Sequence, residues 1–312
     1  MGTRLTELLQ SELPLQLAPM GSVSATPRLA LAVADAGGHA MYPGLGLPPE
    51  ALETVLDELA AGTQAFGVNF IVPLMNRDAL DLAAERAPYV DFFLSEPDAA
   101  LCEVVHAGGA VCGWQVESPL EALAAEAAGC DVVIAKGLES GGRKRIEGPE
   151  LMQLLEEILD TVSIPVIAAG GIATSDGVTA AFAAGADGVR IGTRFIAAEE
   201  SDAHPVWVQA VIDADAGDSV VSTAFNNGMP QPGPHRVLRS SIEAAEALDT
   251  EEVGVMRLLG AEIPVTRFAP NPPTRWSTGK VEAMPFYAGT SAGAVTAVQP
   301  AREIVRELSA GL

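Results

Sequence analysis

The chain has 312 residues, of which 48% are apolar, enough for one large core or two smaller ones. Acidic residues outnumber basic ones 41 to 18, for a formal net charge of −23. That balance argues against nucleic acid and anionic membrane surfaces as partners and otherwise reads as solubility. Along the chain, short apolar runs alternate with Ala/Glu/Leu-rich helical stretches. The runs at 15–17, 39–42, 68–72, 90–94, 110–115, 132–136, 165–168 and 188–191 are expected strands. The stretches at 27–36, 49–62, 76–87, 98–107, 118–128, 149–161, 174–184 and 203–216 are expected helices. Several open on Pro or a Ser/Thr/Asp/Asn cap and close on Gly.

Eight βα units in series imply a closed α/β (β/α)8 TIM barrel rather than a doubly wound sheet. No G-x-G-x-x-G follows the first strand; the residues there are Ala18-Pro19-Met20-Gly21. The rhythm changes after Phe195. Residues 219–237 read as irregular, 241–259 as helical and 269–273 as a proline-rich loop. The expected organisation is a barrel over 1–219, a small, mostly helical inserted subdomain or lid over 220–282, and a segment over 283–312 that packs back on the barrel. Its stretch 293–312 reads as an amphipathic helix.

Residues 1–17 have neither a long apolar core nor a small-residue cleavage site, and no apolar run approaches the ~20 residues of a membrane span. Cys102, Cys112 and Cys130 show no metal-type spacing and no even framework. They read as buried structural thiols in a reduced, cytoplasmic protein. No acid–His cluster or H-x-x-x-H points to a metal, and no G-x-S-x-G to a hydrolase.

The functional residues of such a barrel sit at the C-terminal ends of its strands. Gly170-Gly171 and Gly192-Thr193 end the seventh and eighth strands, as a phosphate cradle requires. Lys136 ends the sixth and is expected to face the barrel mouth, where a cation stabilises an electron-rich ring or an anion. Asn69 and Gln115 are strand amides, either satisfied in the core or offered to a ligand. Arg143-Lys144-Arg145 reads either as a solvated loop or as a clamp for an anionic substrate. Among the four histidines, His39 and His235 are the candidates for a site role, and His106 and His204 read as structural.

These residues resemble the nitronate monooxygenase family, also called 2-nitropropane dioxygenase-like proteins, over nearly the whole chain. The matching stretches are LQLAPMGSVSATPRLALAVADAGG, FGVNFIVP, DVVIAKGLESGG, IPVIAAGGIA, GADGVRIGTRFIAAEES and AMPFYAGTSAG. The family comprises FMN-dependent TIM barrels related to flavin-dependent enoyl-acyl-carrier-protein reductases. The resemblance implies that Ala18, Pro19 and Met20 line the flavin ring, and that Asn69 and Lys136 contact the ring or ribityl chain. Gln115 matches the mixed donors and acceptors of a flavin edge. Gly170, Gly171, Gly192 and Thr193 would hold the FMN phosphate. Gly141 and Gly142 would admit the flavin, and Tyr287, Gly289 and Ser291 would reach back to it.

Many family members carry a catalytic His after A-G-G in the loop following strand six; here Arg143 stands in its place. Arg takes no proton at neutral pH, so the expected substrate is a preformed nitronate, already anionic, bound by Arg143, with His39 as a substitute base. The implied activity is oxidation of a nitronate or nitro compound with O2. The alternatives are an NAD(P)H-dependent flavin reductase of an enoyl thioester or related conjugated substrate, and a flavin-binding protein or non-redox enzyme of a specialised pathway. The sequence leaves the oligomeric state open, a homodimer among the options.

Overall fold

The computed structural model describes residues 3–145, 148–258 and 260–312. Eight parallel strands form the barrel: β1 (Leu15–Leu17), β2 (Ala40–Pro43), β3 (Phe66–Ile71), β4 (Tyr89–Phe93), β5 (Val111–Val116), β6 (Val132–Lys136), β7 (Val166–Ala169) and β8 (Gly188–Ile191). Each pairs with its sequence neighbours, and β8 returns to β1 through Leu15 opposite Val189. The ring closes between β1 and β2. Gln16 pairs with His39, the Leu17 N–H donates to the His39 carbonyl at 3.0 Å, and the His39 N–H to the Leu15 carbonyl at 2.8 Å. The strands are short and largely apolar because both faces are covered, inside by barrel filling and outside by helices; Gln16, Asn69, Asp91, Gln115, Lys136 and Arg190 are the polar residues among them.

A helix over Arg4–Leu9, which apolar patterning in the first seventeen residues does not announce, seals the bottom of the barrel. Its Leu5 and Leu9 pack against Met41, Tyr89, Ile134 and Ile167. Above that plug the filling is polar. Arg190 pairs with Asp91, and its Nε donates to Gln16 Oε1 at 2.7 Å. Asn69 Nδ2 donates to Asp91 Oδ1 at 2.6 Å, and the Tyr89 hydroxyl to Asp91 Oδ2 at 3.3 Å. Asp91 thus gathers donors from Arg190, Asn69 and Tyr89.

His39 belongs to this interior, which corrects its assignment to the barrel mouth. It directly precedes β2, is fully buried, and faces Gln16 Nε2 through Nδ1 at 3.0 Å. Burial, with the Arg190 charge adding to it, lowers its pKa to about 3. The unfolded chain then binds a proton near pH 6.5 that the folded chain refuses, so His39 withdraws stability as pH falls from about 6.5 toward 3. Urea denaturation at pH 7 and pH 4.5 should show the loss, and His39→Gln should shrink the difference; an unchanged pH dependence in that variant would refute the assignment.

The C-terminal third departs most from expectation. Residues 219–237 are not irregular throughout: β9 (Ser219–Ser222) and β10 (His235–Leu238) pair antiparallel, and Gly142–Arg143 adds a third strand beside β10. The expected helix over 241–259 is confined to Arg239–Glu246. It gives way to a hairpin of β11 (Glu252–Leu258) and β12 (Ala261–Thr266), with Thr278–Gly279 alongside. Strand therefore outweighs helix in the insertion. The segment is rich in β-branched residues, Val253, Val255, Ile263 and Val265, and cross-strand pairing outweighs the local helical signal of the preceding Ala/Glu stretch. This region has its own small core of Phe225, Val237, Ala245, Val253, Met256, Val265 and Met284. The stretch 293–312 is not one helix either: a turn of 3-10 helix (Thr290–Ala294) leads through Pro300 to a helix over Ala301–Ser309. Among the described residues, no helix is long and apolar enough to cross a membrane.

Candidate active site

The C-terminal ends of the barrel strands open into a cavity of about 400 Å³, within the ~300–1,000 Å³ range of small-molecule sites. Ala18, Pro19 and Met20 reach its wall from the end of β1, Asn69 from β3, Gln115 from β5 and Lys136 from β6. The loop after β6 adds Gly141, Gly142 and Arg143. The loops after β7 and β8 add Gly170, Gly171, Gly192 and Thr193, and the C-terminal segment adds Tyr287 and Ser291. Fold topology thus gathers residues spread from 18 to 291 around one space.

Gly289 and His39 are not on that wall. Gly289 acts one layer behind it: its N–H donates to Thr193 Oγ1 at 2.9 Å, and a Cβ there would lie 2.5 Å from the Glu139 carbonyl oxygen. It locks the C-terminal segment onto the β8 loop.

The end of β7 is shaped by its two glycines. Gly170 has φ +116° and Gly171 φ +71°, both in the left-handed region. A Cβ on Gly170 would sit 3.0 Å from the Ser140 nitrogen, and one on Gly171 would sit 3.1 Å from Glu139 Cβ. Backbone amides are thereby left open to a ligand. Just beyond, Thr174 caps the helix Ser175–Ala183, whose N-terminus adds partial positive charge on the same side.

The basic groups are individually anchored. Lys136 Nζ donates to Glu117 Oε1 at 3.1 Å and to the Arg143 carbonyl, and lies 4.5 Å from the Phe93 ring centroid. Burial lowers its pKa and Glu117 opposes the shift. The Arg143 guanidinium donates to Asn226 Oδ1 and to the Phe225 carbonyl, each at 2.6 Å. Lys144 turns inward, donating to the Gly137 carbonyl and Ser140 Oγ, each at 3.0 Å. Burial and the nearby Lys136 charge bring its pKa down to about 6. Arg145 pairs with Glu121 and Glu96. The run 143–145 is thus neither a solvated loop nor a cluster acting as one clamp; Arg143 alone reaches the cavity.

His235 lies opposite Arg143 in the sheet, buried edge-on against Tyr287 at 5.7 Å. Burial, with Arg143, lowers its pKa to about 4, so it is neutral near pH 7. Burial raises the Tyr287 hydroxyl to about 12, which keeps it a donor, here to the Pro270 carbonyl at 3.2 Å.

Two site residues escape a reading of the sequence. Arg190 lines the cavity from inside β8, and its Nη1 is buried with no partner among the described residues. Glu117, beyond β5, holds both Lys136 and the Arg145 N–H, the latter at 2.6 Å. A charged residue inside the apolar run Gly-Val-Arg-Ile is the signal that could have found the first. The roof is apolar: Met229, Met256, Leu258 and Ile263 face the cavity from the insertion. Its loop is fastened by Ser22 Oγ, which donates to the Pro272 carbonyl at 2.5 Å.

Comparison with known proteins agrees with this architecture. A family model described as nitronate monooxygenase matches residues 50–311. A probable nitronate monooxygenase of Bacillus subtilis is 31% identical over 257 residues, 68% of this chain and 74% of that protein. One from Staphylococcus aureus is 30% identical over 269 residues, 72% of this chain and 76% of that protein. Among solved structures, FabK from Thermotoga maritima superposes with a TM-score of 0.80 at 30% identity, covering 100% of this chain and 96% of that one. A nitroalkane oxidase from Streptomyces ansochromogenes also reaches 0.80, at 25% identity over 99% and 98% of the two chains.

Proposed function

The chain belongs to the nitronate monooxygenase family of flavin-dependent oxidoreductases, and from that membership we propose that it binds FMN in the barrel mouth and oxidises an alkyl nitronate with O2. The observation that carries the reading is the cavity itself: a glycine cradle at one end, an unpartnered buried Arg190 N–H and Lys136 on its wall, and an apolar roof. A phosphate fits the open amides of Gly170 and Gly171 beside Gly192 and Thr193. Arg190 Nη1 is a donor that lacks an acceptor, as a flavin's ring edge or side chain would supply. Asn69, Gln115 and Lys136 line the same wall with further polar groups, while Ala18, Pro19 and Met20 offer a largely apolar face to a flat ring. Gly141, Gly142, Tyr287 and Ser291 close the remaining side, with Gly289 bracing them.

The flavin, when bound, supplies the electron transfer from substrate to O2. The chain's part is to bind, orient and exclude water. Arg143 cannot accept a proton, and its guanidinium is held in place by Asn226 and Phe225. Its fixed charge favours a substrate that arrives as an anion, and a nitronate needs no base. Arg143→Ala should raise KM for a nitronate about tenfold, the scale of one charged hydrogen bond, with little change for the neutral nitroalkane. Equal effects on both would count against the clamp.

The apolar roof of Met229, Met256, Leu258 and Ile263 supports a second reading, reduction of an enoyl thioester with NAD(P)H, since an acyl chain suits those side chains. Oxygen uptake driven by nitronate alone, without NAD(P)H, is the expected result for the first reading. NAD(P)H oxidation that requires an enoyl thioester, with no response to nitronate, would replace it with the second.

A further inference from the structure

Three cysteines that show no pattern in the sequence meet in the fold. Cys102 is on the inner face of the helix Ala99–Gly108, Cys112 is in β5, and Cys130 follows the turn at Gly129 just before β6. All three are buried as free thiols, and their sulfurs lie within 4.8 Å of one another. The Cys102 and Cys130 sulfurs are 3.6 Å apart.

We propose that Cys102, Cys112 and Cys130 form a three-thiolate site for a soft monovalent cation of the Cu(I) class. With a metal–sulfur bond of ~2.3 Å, the corners of a trigonal site are spaced about 4 Å apart. The Cys102–Cys130 separation of 3.6 Å lies just under that value and no pair exceeds 4.8 Å, so small rotations suffice to meet it. Thiolates select soft ions, and with no fourth His, Cys or carboxylate in the cluster among the described residues, the site suits three-coordinate Cu(I) better than tetrahedral zinc. The nearest carboxylate, Asp131, is committed elsewhere: its Oδ2 accepts from the Cys112 N–H at 2.8 Å and faces His106 Nε2 at 2.9 Å. That pair ties the backbone at Cys112 and Cys130 to the helix bearing Cys102, so the ligands are held in place. His106 and Asp131 are themselves partly exposed, at 43% and 37% of their side chains, so the cluster lies one layer beneath the surface. None of the three cysteines lines the cavity at the barrel mouth, so the site stands or falls separately from the proposed redox activity.

The test is an anaerobic titration of the reduced, flavin-loaded protein with Cu(I) against bicinchoninate as a competing chelator, followed by X-ray absorption at the copper edge. One Cu(I) per chain, surrounded by three sulfurs, is expected. Cys102→Ser, Cys112→Ser and Cys130→Ser should each weaken retention at least tenfold, about 1.4 kcal/mol, with flavin content and circular dichroism unchanged. The X-ray absorption of the unaltered protein needs no variant, so a fold-disrupting substitution does not blunt the test. Failure to retain Cu(I) against the chelator, a two-sulfur environment, or retention that survives all three substitutions, as copper on Met20, Met229 and Met256 would, overturns the proposal.

Discussion

Gly171→Asp should purify without flavin. Gly171 has φ +71°, and an added Cβ would meet Glu139 Cβ at 3.1 Å. The backbone strain costs about 1 kcal/mol or more, which a barrel of this size survives. The carboxylate is the larger effect. It would stand where the phosphate is proposed to sit, and two like charges about 4 Å apart repel by ~4 kcal/mol near a protein surface, more than for a single charge if the phosphate is dianionic. That corresponds to a loss of roughly a thousandfold in affinity. Gly171→Ala separates the two causes, because it carries the strain without the charge and should retain measurable flavin. The check is the flavin absorbance of both variants after gel filtration, with circular dichroism to show that each is folded. Full flavin occupancy in Gly171→Asp would remove the cradle from the β7 loop.

The second large effect is on stability. Asp91→Ala should destabilise the fold by about 3–5 kcal/mol, because it leaves the Arg190 guanidinium buried without its counter-charge. Asp91 is fully buried and Arg190 nearly so. The same substitution strips the Asn69 amide and Tyr89 hydroxyl of an acceptor. Urea denaturation measures the loss. Asp91→Ala combined with Arg190→Leu should recover much of it, since an apolar pair of similar volume often replaces a buried ion pair at little cost. A double variant no better than Asp91→Ala would mean that the Asn69 and Tyr89 bonds, not the stranded charge, dominate. Because Arg190 also lines the cavity, flavin affinity should fall in both variants.

The barrel was legible because its signals are local. Most strands are short apolar runs, several helices are capped, and the glycines after β7 and β8 mark where the backbone must leave room. Lys136 was legible for a related reason: a cation at the end of an apolar strand has to find either solvent or a site. What could not be read is non-local. His39 begins the expected strand 39–42 and directly precedes β2 in the fold, the end remote from the mouth, but its burial against Gln16 depends on how β1 and β2 close the ring. The hairpin over Glu252–Thr266 is stabilised by pairing between its strands and with Thr278–Gly279, which outweighs the helical tendency that runs into it from Glu246. The anchoring of Arg143 depends on Phe225 and Asn226, some 80 residues away in sequence. The meeting of Cys102, Cys112 and Cys130 depends on helix–strand packing that no spacing rule encodes.

The apolar roof and the anchored cations also divide the labour within the cavity. Lys136, Arg143 and Arg190 each have fixed protein partners, so their charges are preorganised rather than recruited on binding, the arrangement that makes electrostatic stabilisation effective. Met229, Met256, Leu258 and Ile263 come from the insertion and not the barrel, so substrate range can vary there without disturbing the cofactor's end.

A flavin held by the β7 and β8 loops and reduced by a nitronate can be checked in one absorbance experiment on the purified protein. A flavin spectrum, release of one FMN per chain on denaturation, and bleaching when a preformed alkyl nitronate is added without oxygen are the expected result. A colourless protein that takes up no added FMN would contradict it.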